Sequence, residues 1–296
     1  MEQRFKSLSL FDFQEQFDTD EKCLDYLVQK KWGDGYECPK CKNAKYGNGT
    51  KPHDRQCTKC NYVESPTAGT LFHKVKFSLV KAFYTVYFVS TNKKGITSTE
   101  LSRKLELRQK TCWLFKRKTM KAMESSGNFL LEGSVEVDEM VIGGQETGTK
   151  GRKNINKKLV VIAIEKKRKG VSRFYAKVID SANAKNLGEF MKQTIDPVAN
   201  IKTDQWAGYK PLKADFENLT HIKSGKKGEN FSEIHRVIMN FKSWLRGVHH
   251  HVDDLQEYIN EYTYRFNRSF MKENIFENLI TRMVKAKPCP YKAIIS

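Results

Sequence analysis

Two aspartates and one later polar helix hold the residue types in this chain best suited to chemistry. Asp138 stands in the run Ser134-Val-Glu-Val-Asp138-Glu, and Asp204 in Lys202-Thr-Asp204-Gln-Trp206-Ala-Gly-Tyr209. Each ends or interrupts an apolar, strand-like run, where a carboxylate is costly unless it is paired or binds a metal. Alternation along the first run sets Val135 and Val137 on one face and Glu136 and Asp138 on the other. Aspartates held on adjacent strands can share a metal, and a third polar ligand from a later helix completes a two-metal site for phosphoryl transfer.

That later helix is Ile234-His235-Arg-Val-Ile-Met-Asn240-Phe-Lys242-Ser-Trp244-Leu. His235 and Lys242 are seven residues apart. Seven steps of ~100° return within ~20° of the starting direction, so both lie on one face, two turns apart. Ile234, Val237, Ile238, Phe241 and Leu245 form an apolar stripe that docks the helix on a sheet. The bland alternative for His235 is capping or packing.

A second constellation is metallic on spacing alone. Cys38-Pro-Lys-Cys41 and Cys57-Thr-Lys-Cys60 are two C-x-x-C pairs separated by 15 residues. Each turn offers two thiolates to one tetrahedral ion, which makes a closed, structural zinc site. His53 and His73 are competing ligands in principle, but four cysteines already satisfy the ion. Cys23, Cys112 and Cys289 are isolated and read as packing residues.

The elements that must position these groups follow from periodicity. Residues 8–31 read as helical, with Thr19 or Asp20 as an N-cap, and 77–92 as a buried apolar and aromatic helix. Strands are expected at 134–142, 158–165, 172–179, 199–204 and 218–222, and helices at 183–195, 232–247, 253–267 and 273–285. The stretch Gly143–Lys153 is the most loop-like; no Gly-Lys-Ser/Thr closes it, so it is not a phosphate-binding loop. Trp206, Trp244, Tyr258, Tyr262, Tyr264 and Phe266 read as core rather than base-stacking residues. The triplet His249-His250-His251 reads as a helix-end turn before a metal tract.

Charge singles out the middle of the chain. The 296 residues carry 53 Lys plus Arg against 34 Asp plus Glu, a net +19, with 39% hydrophobic residues for a sizeable core. Residues 1–70 hold 11 basic and 11 acidic side chains, whereas 71–125 hold 13 basic and 3 acidic. Such an imbalance favours a polyanion, nucleic acid before an anionic membrane. Within it, Thr97 or Ser98 caps a short helix to Leu105, and Glu100 lies three residues after Thr97, a capping-box spacing. A second helix begins near Arg108-Gln109-Lys110-Thr111, polar in front and apolar behind. This is a helix-turn-helix pattern whose leading residues face base edges. No apolar run of about 18 residues appears, so no membrane span is expected. No secretory signal is evident at Met1-Glu-Gln-Arg-Phe-Lys, so an intracellular protein with reduced cysteines is expected.

Taken in order, these runs resemble the bacterial insertion-sequence transposases that join an N-terminal zinc ribbon to an RNase H-like domain. The matching segments are Thr67-Ala-Gly-Thr70-Leu-Phe-His-Lys74, Val137-Asp138-Glu139 with Gly143-Gly144, Asp204 to Tyr209, Ile234 to Val237 through Lys242 to Gly247, and Tyr264-Arg265-Phe-Asn267-Arg268. The resemblance covers about residues 20–270. It implies a DDE-type DNA transposase of the Asp-Asp-His-Lys variant, with Asp138, Asp204, His235 and Lys242 as its catalytic set. It implies two Mg²⁺ or Mn²⁺ ions, bridged by Asp138, one bound by Asp204 and the other by His235, with Lys242 on a phosphate. His235 departs from the glutamate of most related transposases; Glu229, Glu233 and Asn240 are nearby substitutes.

The expected fold is α/β: a mixed five-stranded RNase H-like sheet flanked by helices, preceded by the ribbon and the helix-turn-helix. The expected domains are 1–70, 71–128 and 129–287. The expected activity is metal-dependent cleavage and strand transfer at insertion-sequence ends, by a nucleoid-associated, cytoplasmic homodimer or higher oligomer on double-stranded DNA, ends and target alike. The rivals are a catalytically inactive DNA-binding regulator derived from such an enzyme, and a structure-specific nuclease.

Overall fold

Short polar residues start most of the helices, and apolar stripes decide where they dock. The computed structural model describes residues 8–143, 157–168, 170–248, 254–271 and 274–295. The glycine-rich stretch after Gly143 and the triplet His249–His251 lie outside them. The chain divides into two compact units, Met1–Met123 with Arg268–Ser296, and Glu124–Asn267.

In the first unit the expected helical segment is two helices. Ser9 and Asp12 cap α1 (Leu10–Gln16) reciprocally, and Thr19 caps α2 (Asp20–Trp32). A small antiparallel sheet follows, β1 (Tyr46–Asn48), β2 (Arg55–Cys57) and β3 (Val63–Glu64), in that order. Helix α3 (Leu79–Thr91) borrows its cap: Asp20 Oδ1 accepts from Ser78 Oγ at 2.6 Å and Val80 N at 2.9 Å. Then come α4 (Ser98–Leu105), capped by Thr97 through the Glu100 N–H at 3.0 Å, and α5 (Gln109–Lys121). Glu106, at φ 51°, turns the chain between them.

The second unit is built on β4 (Ser134–Ile142), β5 (Lys158–Lys167), β6 (Gly170–Ile179), β7 (Asn200–Thr203) and β8 (Leu219–His221), in the order β6-β5-β4-β7-β8. β5 is antiparallel to β4 and β6, while β4, β7 and β8 run parallel. This is the RNase H-like arrangement. Helix α6 (Ala184–Thr194) crosses from β6 to β7, as a parallel sheet requires. It covers one face, packing with Val135, Val137, Val161 and Ile201. Helices α7 (Ser232–Val248) and α8 (Leu255–Asn267) cover the other, over Met140, Val160, Ile162 and Phe174.

Beyond α8 the chain returns to the first unit as α9 (Asn274–Lys285) and α10 (Lys292–Ile295). The expected domain 129–287 therefore ends, as a compact unit, at 267. The reason lies in the α9 stripe: Phe276 meets the rings of Phe13, Phe17 and Phe83 at 5.4, 5.6 and 6.0 Å. Periodicity finds such a stripe but not its partner. Among the described residues no helix is long and apolar enough to cross a membrane.

One buried carboxylate locks the edge of the five-stranded sheet. Glu165 is fully buried on β5 and accepts from Arg173 Nη2 at 2.6 Å, Ser172 Oγ and the Glu132 N–H at 2.8 Å. Burial raises its pKa, but Arg173, Ser172 and Glu132 outweigh that and hold it at about 2, against an ordinary 4.5. A depressed carboxyl stabilises the fold above its unfolded pKa and loses that contribution as pH falls through the folded one. Acid unfolding should therefore show a loss on the order of 3 kcal/mol between about pH 4.5 and pH 2 that Glu165→Gln lacks, measured by denaturant titration across that range.

Candidate functional site

Register brings the two aspartates together. Val137 on β4 is paired with Thr203 on parallel β7, so the next residues stand side by side, Asp138 midway along β4 and Asp204 just past the end of β7. The expected alternation holds: Val135 and Val137 face α6, and Glu136 and Asp138 share the α7 side with Met140. Asp204 Oδ1 accepts the Trp206 N–H at 2.9 Å, which fixes one carboxylate oxygen just past β7.

His235 reaches the same place from the first turns of α7. Its Nε2 lies 3.2 Å from Asp138 Oδ2. A 3-10 segment, Lys226–Phe231, leads into the helix, and within it Gly228 sits at φ +74° under the imidazole. A Cβ there would lie 2.1 Å from His235 Cε1 and 2.4 Å from Nδ1, so only glycine leaves room for the ring. Lys202 of β7 ties this segment to the sheet, donating to Asn230 O at 2.7 Å.

The electrostatics ask for a cation. Burial raises the pKa of Asp138 and the nearby Asp204 charge adds to this; the Glu139 N–H at 2.8 Å and His235 oppose it, and the net shift is upward. A partly buried carboxylate with a second one beside it favours a bound metal. Lys242 feels the same charge. Burial and then Arg246 lower its pKa, while Asp138 pulls the other way. Behind the aspartates Tyr209 is fully buried, its phenol pKa raised well above normal by burial and then by Glu139, Asp138 and Asp204.

His235 thus stands beside Asp138, with Asp204 on the neighbouring strand and Lys242 two turns further along α7, though Asp138, Asp204 and His235 do not hold their donor atoms all within 4.8 Å of one another among the described residues. The substitutes for His235 are less well placed. Glu233 pairs with Arg236, the Glu229 side chain lies against Gly225, and Asn240 is exposed, five residues and so about 140° round the helix from His235. Gly228 escaped sequence reasoning, and Lys202 and Tyr209 stood in the Asp204 run without a role, since only packing shows what they touch. Trp206 corrects an expectation. Trp244 is core, but Trp206 is 38% exposed, with its indole N–H donated to Ala182 O at 2.7 Å.

The four cysteines meet as their spacing predicts, all Sγ atoms within 4.8 Å. Cys38 and Cys60 are 3.6 Å apart and Cys41 and Cys57 3.5 Å. A disulfide needs ~2.05 Å, whereas a ZnS₄ tetrahedron with bonds of ~2.3 Å has edges of about 3.8 Å. Each pair forms the same knuckle: Lys42 and Asn61, at φ 61° and 56°, donate back to Cys38 O and Cys57 O. Burial pushes the Cys57 thiol up, but the Asn43 amide and the N–H groups of Cys60 and Lys59 outweigh it and bring it to about 6. Although the Asn43 N–H favours ionised Cys41, burial and its three cysteine neighbours drive that thiol up to about 12. The quartet cannot ionise fully without a cation at its centre. His53 is bound instead to Asp25 at 2.8 Å, and Cys23 and Cys112 are buried away from the cluster.

On α4 and α5, Arg108, Gln109 and Lys110 are exposed at the leading end and Thr111 is half-buried. Gln109 is partly committed, donating to Ser98 Oγ at 2.7 Å. The trailing half of α5 is core, including Phe115 and Met120.

Known proteins match both constellations. Residues 130–267 match the ISXO2-like transposase domain, and residues 18–63 the transposase zinc-ribbon domain. An uncharacterised protein in the transposable element ISH50 of Halobacterium salinarum is 26% identical over 140 residues, covering 46% of this chain and 45% of its own length. The chain thus spans less than half of that curated relative. Solved structures that align include the Mos1 mariner paired end complex with Mn, at 11% identity and TM-score 0.29 over 69% of this chain and 75% of that one. The Mos1 strand transfer complex aligns at 10% identity and TM-score 0.30, over 68% and 78%. Superpositions this loose do not define a common fold.

For the ribbon, elemental analysis of protein purified without chelator should find about one zinc per chain, and Cys38→Ser should unfold residues 36–64 by hydrogen exchange. Metal-free protein with an ordered ribbon would refute the site.

Proposed function

We propose that this chain, which belongs to the insertion-sequence transposases with an N-terminal zinc ribbon, cleaves and rejoins DNA phosphodiesters at the ends of its own element. The observation that carries this reading is that the parallel register of β4 and β7 sets Asp138, midway along β4, beside Asp204, just past the end of β7, with His235 Nε2 3.2 Å from Asp138, inside the segment that matches a transposase domain.

In the overall reaction a water, and later a DNA 3′-hydroxyl, attacks phosphorus. A new P–O bond forms as the bond to the departing oxygen breaks, and that oxygen takes up a proton. Divalent ions, when bound, supply Lewis-acid activation and charge neutralisation. The residues that would hold them are Asp138, Asp204 and His235, and the donor set suits them: two carboxylates for Mg²⁺ or Mn²⁺, and an imidazole that favours a transition ion. His235 is presented by Gly228 and α7, so its direction is set before any ligand arrives. Lys242, on the same helix face two turns later, places a positive charge for a DNA phosphate.

Binding falls to the basic segment 71–125. Arg108 and Lys110, exposed at the start of α5, are the residues best placed to enter a groove, with Gln109 and Thr111 beside them. Double-stranded DNA, as element end and as target, is the partner. A homodimer or higher oligomer, working on the cytoplasmic nucleoid, would bring two ends to two such sites.

Two experiments decide these roles, using DNA that carries the short inverted repeats flanking the coding region. Asp138→Asn and Asp204→Asn should each lower divalent-dependent cleavage by at least roughly 100-fold while end binding persists. Cleavage at the wild-type rate by either variant removes the two-metal assignment. Separately, a plot of log K against log salt for end binding should become shallower by about 2 when Arg108 and Lys110 are both replaced by Ala. An unchanged slope places the phosphate contacts elsewhere.

A further inference from the structure

We infer that His221 is a positioning residue for the metal site: from the edge strand it holds the Thr203 hydroxyl, and through that hydroxyl the main chain of Asp204. This rests on the two-metal reading and adds to it a residue from the opposite face of the sheet, which is itself no metal ligand.

The sheet brings the two residues together. β8 is an edge strand, and His221, its last residue, is the register partner of Thr203, the last residue of β7. Ile201 and Leu219 pack on the α6 side, and alternation puts Thr203 and His221 there with them. Asp138 and His235 meet on the α7 side. The His221 imidazole therefore lies across the sheet from His235.

Two hydrogen bonds carry its influence to the site. His221 Nδ1 lies 2.9 Å from Thr203 Oγ1, and Thr203 Oγ1 donates to Asp204 O at 3.0 Å. A hydroxyl has a single proton, and the Asp204 carbonyl takes it. Nδ1 must then supply the proton of the other bond, so the ring is the Nδ1–H tautomer with Nε2 unprotonated. Thr203 is fully buried, so water does not compete for its hydroxyl. Asp204 is thus held twice, at its carbonyl by Thr203 and at its carboxylate by the Trp206 N–H. Fixing the carbonyl fixes the backbone from which the carboxylate rotamer is chosen.

Stability alone does not call for a histidine at this place. His221 Nε2 is buried and has no hydrogen-bond partner among the described residues. An apolar side chain would avoid that cost. Burial, and then Lys213 and Lys210, lower the His221 pKa, while Asp204 pulls the other way. The ring is therefore neutral at neutral pH, as a one-proton donor requires. A locally unfavourable nitrogen kept one strand away from Asp204 fits a residue retained for placement.

The first measurement needs no catalytic metal. In the full chain with ring-¹⁵N-labelled histidine, the signals lost in His221→Leu should be those of a neutral Nδ1–H tautomer; an Nε2–H tautomer overturns the proposal. The second follows the Mn²⁺ site that Asp138→Asn removes, by electron paramagnetic resonance. His221→Leu, and Thr203→Val, which removes the hydroxyl at nearly constant volume, should each weaken Mn²⁺ binding roughly tenfold, with no further loss in the double variant. Their thermal unfolding should stay near wild type. His221→Asn, whose amide N–H stands in for Nδ1–H, should recover most of the affinity, whereas His221→Gln, whose amide reaches the Nε2 position, should not. If His221→Leu does not fold, Thr203→Val and the Asn and Gln variants decide. Wild-type Mn²⁺ affinity in His221→Leu and Thr203→Val, or equal loss in His221→Asn and His221→Gln, overturns the positioning role. The outcomes separate from the parent reading. Loss of Mn²⁺ in Asp138→Asn beside normal binding in His221→Leu and Thr203→Val removes the role of His221 alone; wild-type Mn²⁺ binding and cleavage by Asp138→Asn removes the metal site itself, and this role with it.

Discussion

The parallel pairing of β4 with β7 is the constraint on which the rest of the second unit depends. It sets Asp138, midway along β4, beside Asp204, just past β7, an arrangement of partly buried like charges that is unfavourable by itself. The surroundings then answer that cost locally. The N–H groups of Glu139 and Trp206 each hold one carboxylate oxygen, and the His235 imidazole and the Lys242 ammonium approach from α7. What is left unbalanced is the negative charge that a divalent ion would neutralise. A fold that spends its stability on such a pair makes sense when a cation or a substrate phosphate supplies the remainder.

Small residues do much of the positioning. Gly228 lets the His235 ring sit against the backbone that leads into α7, and Gly208 lets the Trp206 indole reach the Ala182 carbonyl. In both cases the missing Cβ is more informative than any contact, because a methyl group would force the ring out of place. Lys202 works the same way from the sheet, holding Asn230 and with it the entry to α7. The two aromatic or imidazole groups nearest the aspartates are thus set by backbone geometry, and this preorganisation is what a metal-dependent site needs to keep donors in place. The ribbon applies a parallel logic, with Lys42 and Asn61 in left-handed backbone so that each C-x-x-C turn folds back on itself.

Much of this was legible in one dimension. The strand from 134 to 142 matches its expected bounds, and α6 to α9 fall within about two residues of theirs, because strong period-2 and period-3.6 patterns survive folding. The zinc quartet was legible because ligand spacing is local. The cap of α4 was legible to within one residue, Thr97 or Ser98, because capping is a matter of three residues; the structure selects Thr97. The place of α9 was not, since its stripe of Ile275, Phe276, Leu279 and Met283 fits any apolar surface; only the aromatic cluster of Phe13, Phe17 and Phe83 decides which one. Trp206 was misread for the same reason: an aromatic beside a strand end reads as core until the indole's partner, 24 residues away, is known.

The sequence by itself determined the chemistry on offer: four thiolates at zinc spacing, two aspartates that end or interrupt strand-like runs, and a helix with His235 and Lys242 on one face. Those properties depend on residue type and on separations of a few positions, where backbone geometry leaves little choice. The tertiary structure alone decided which of these groups meet. Strand order put β7 next to β4, the turn at Gly228 aimed His235 at Asp138, and the gap beside Gly208 let the Trp206 indole reach the Ala182 carbonyl. Such outcomes turn on contacts between residues tens of positions apart, whose cost or gain is settled by packing and not by any local pattern.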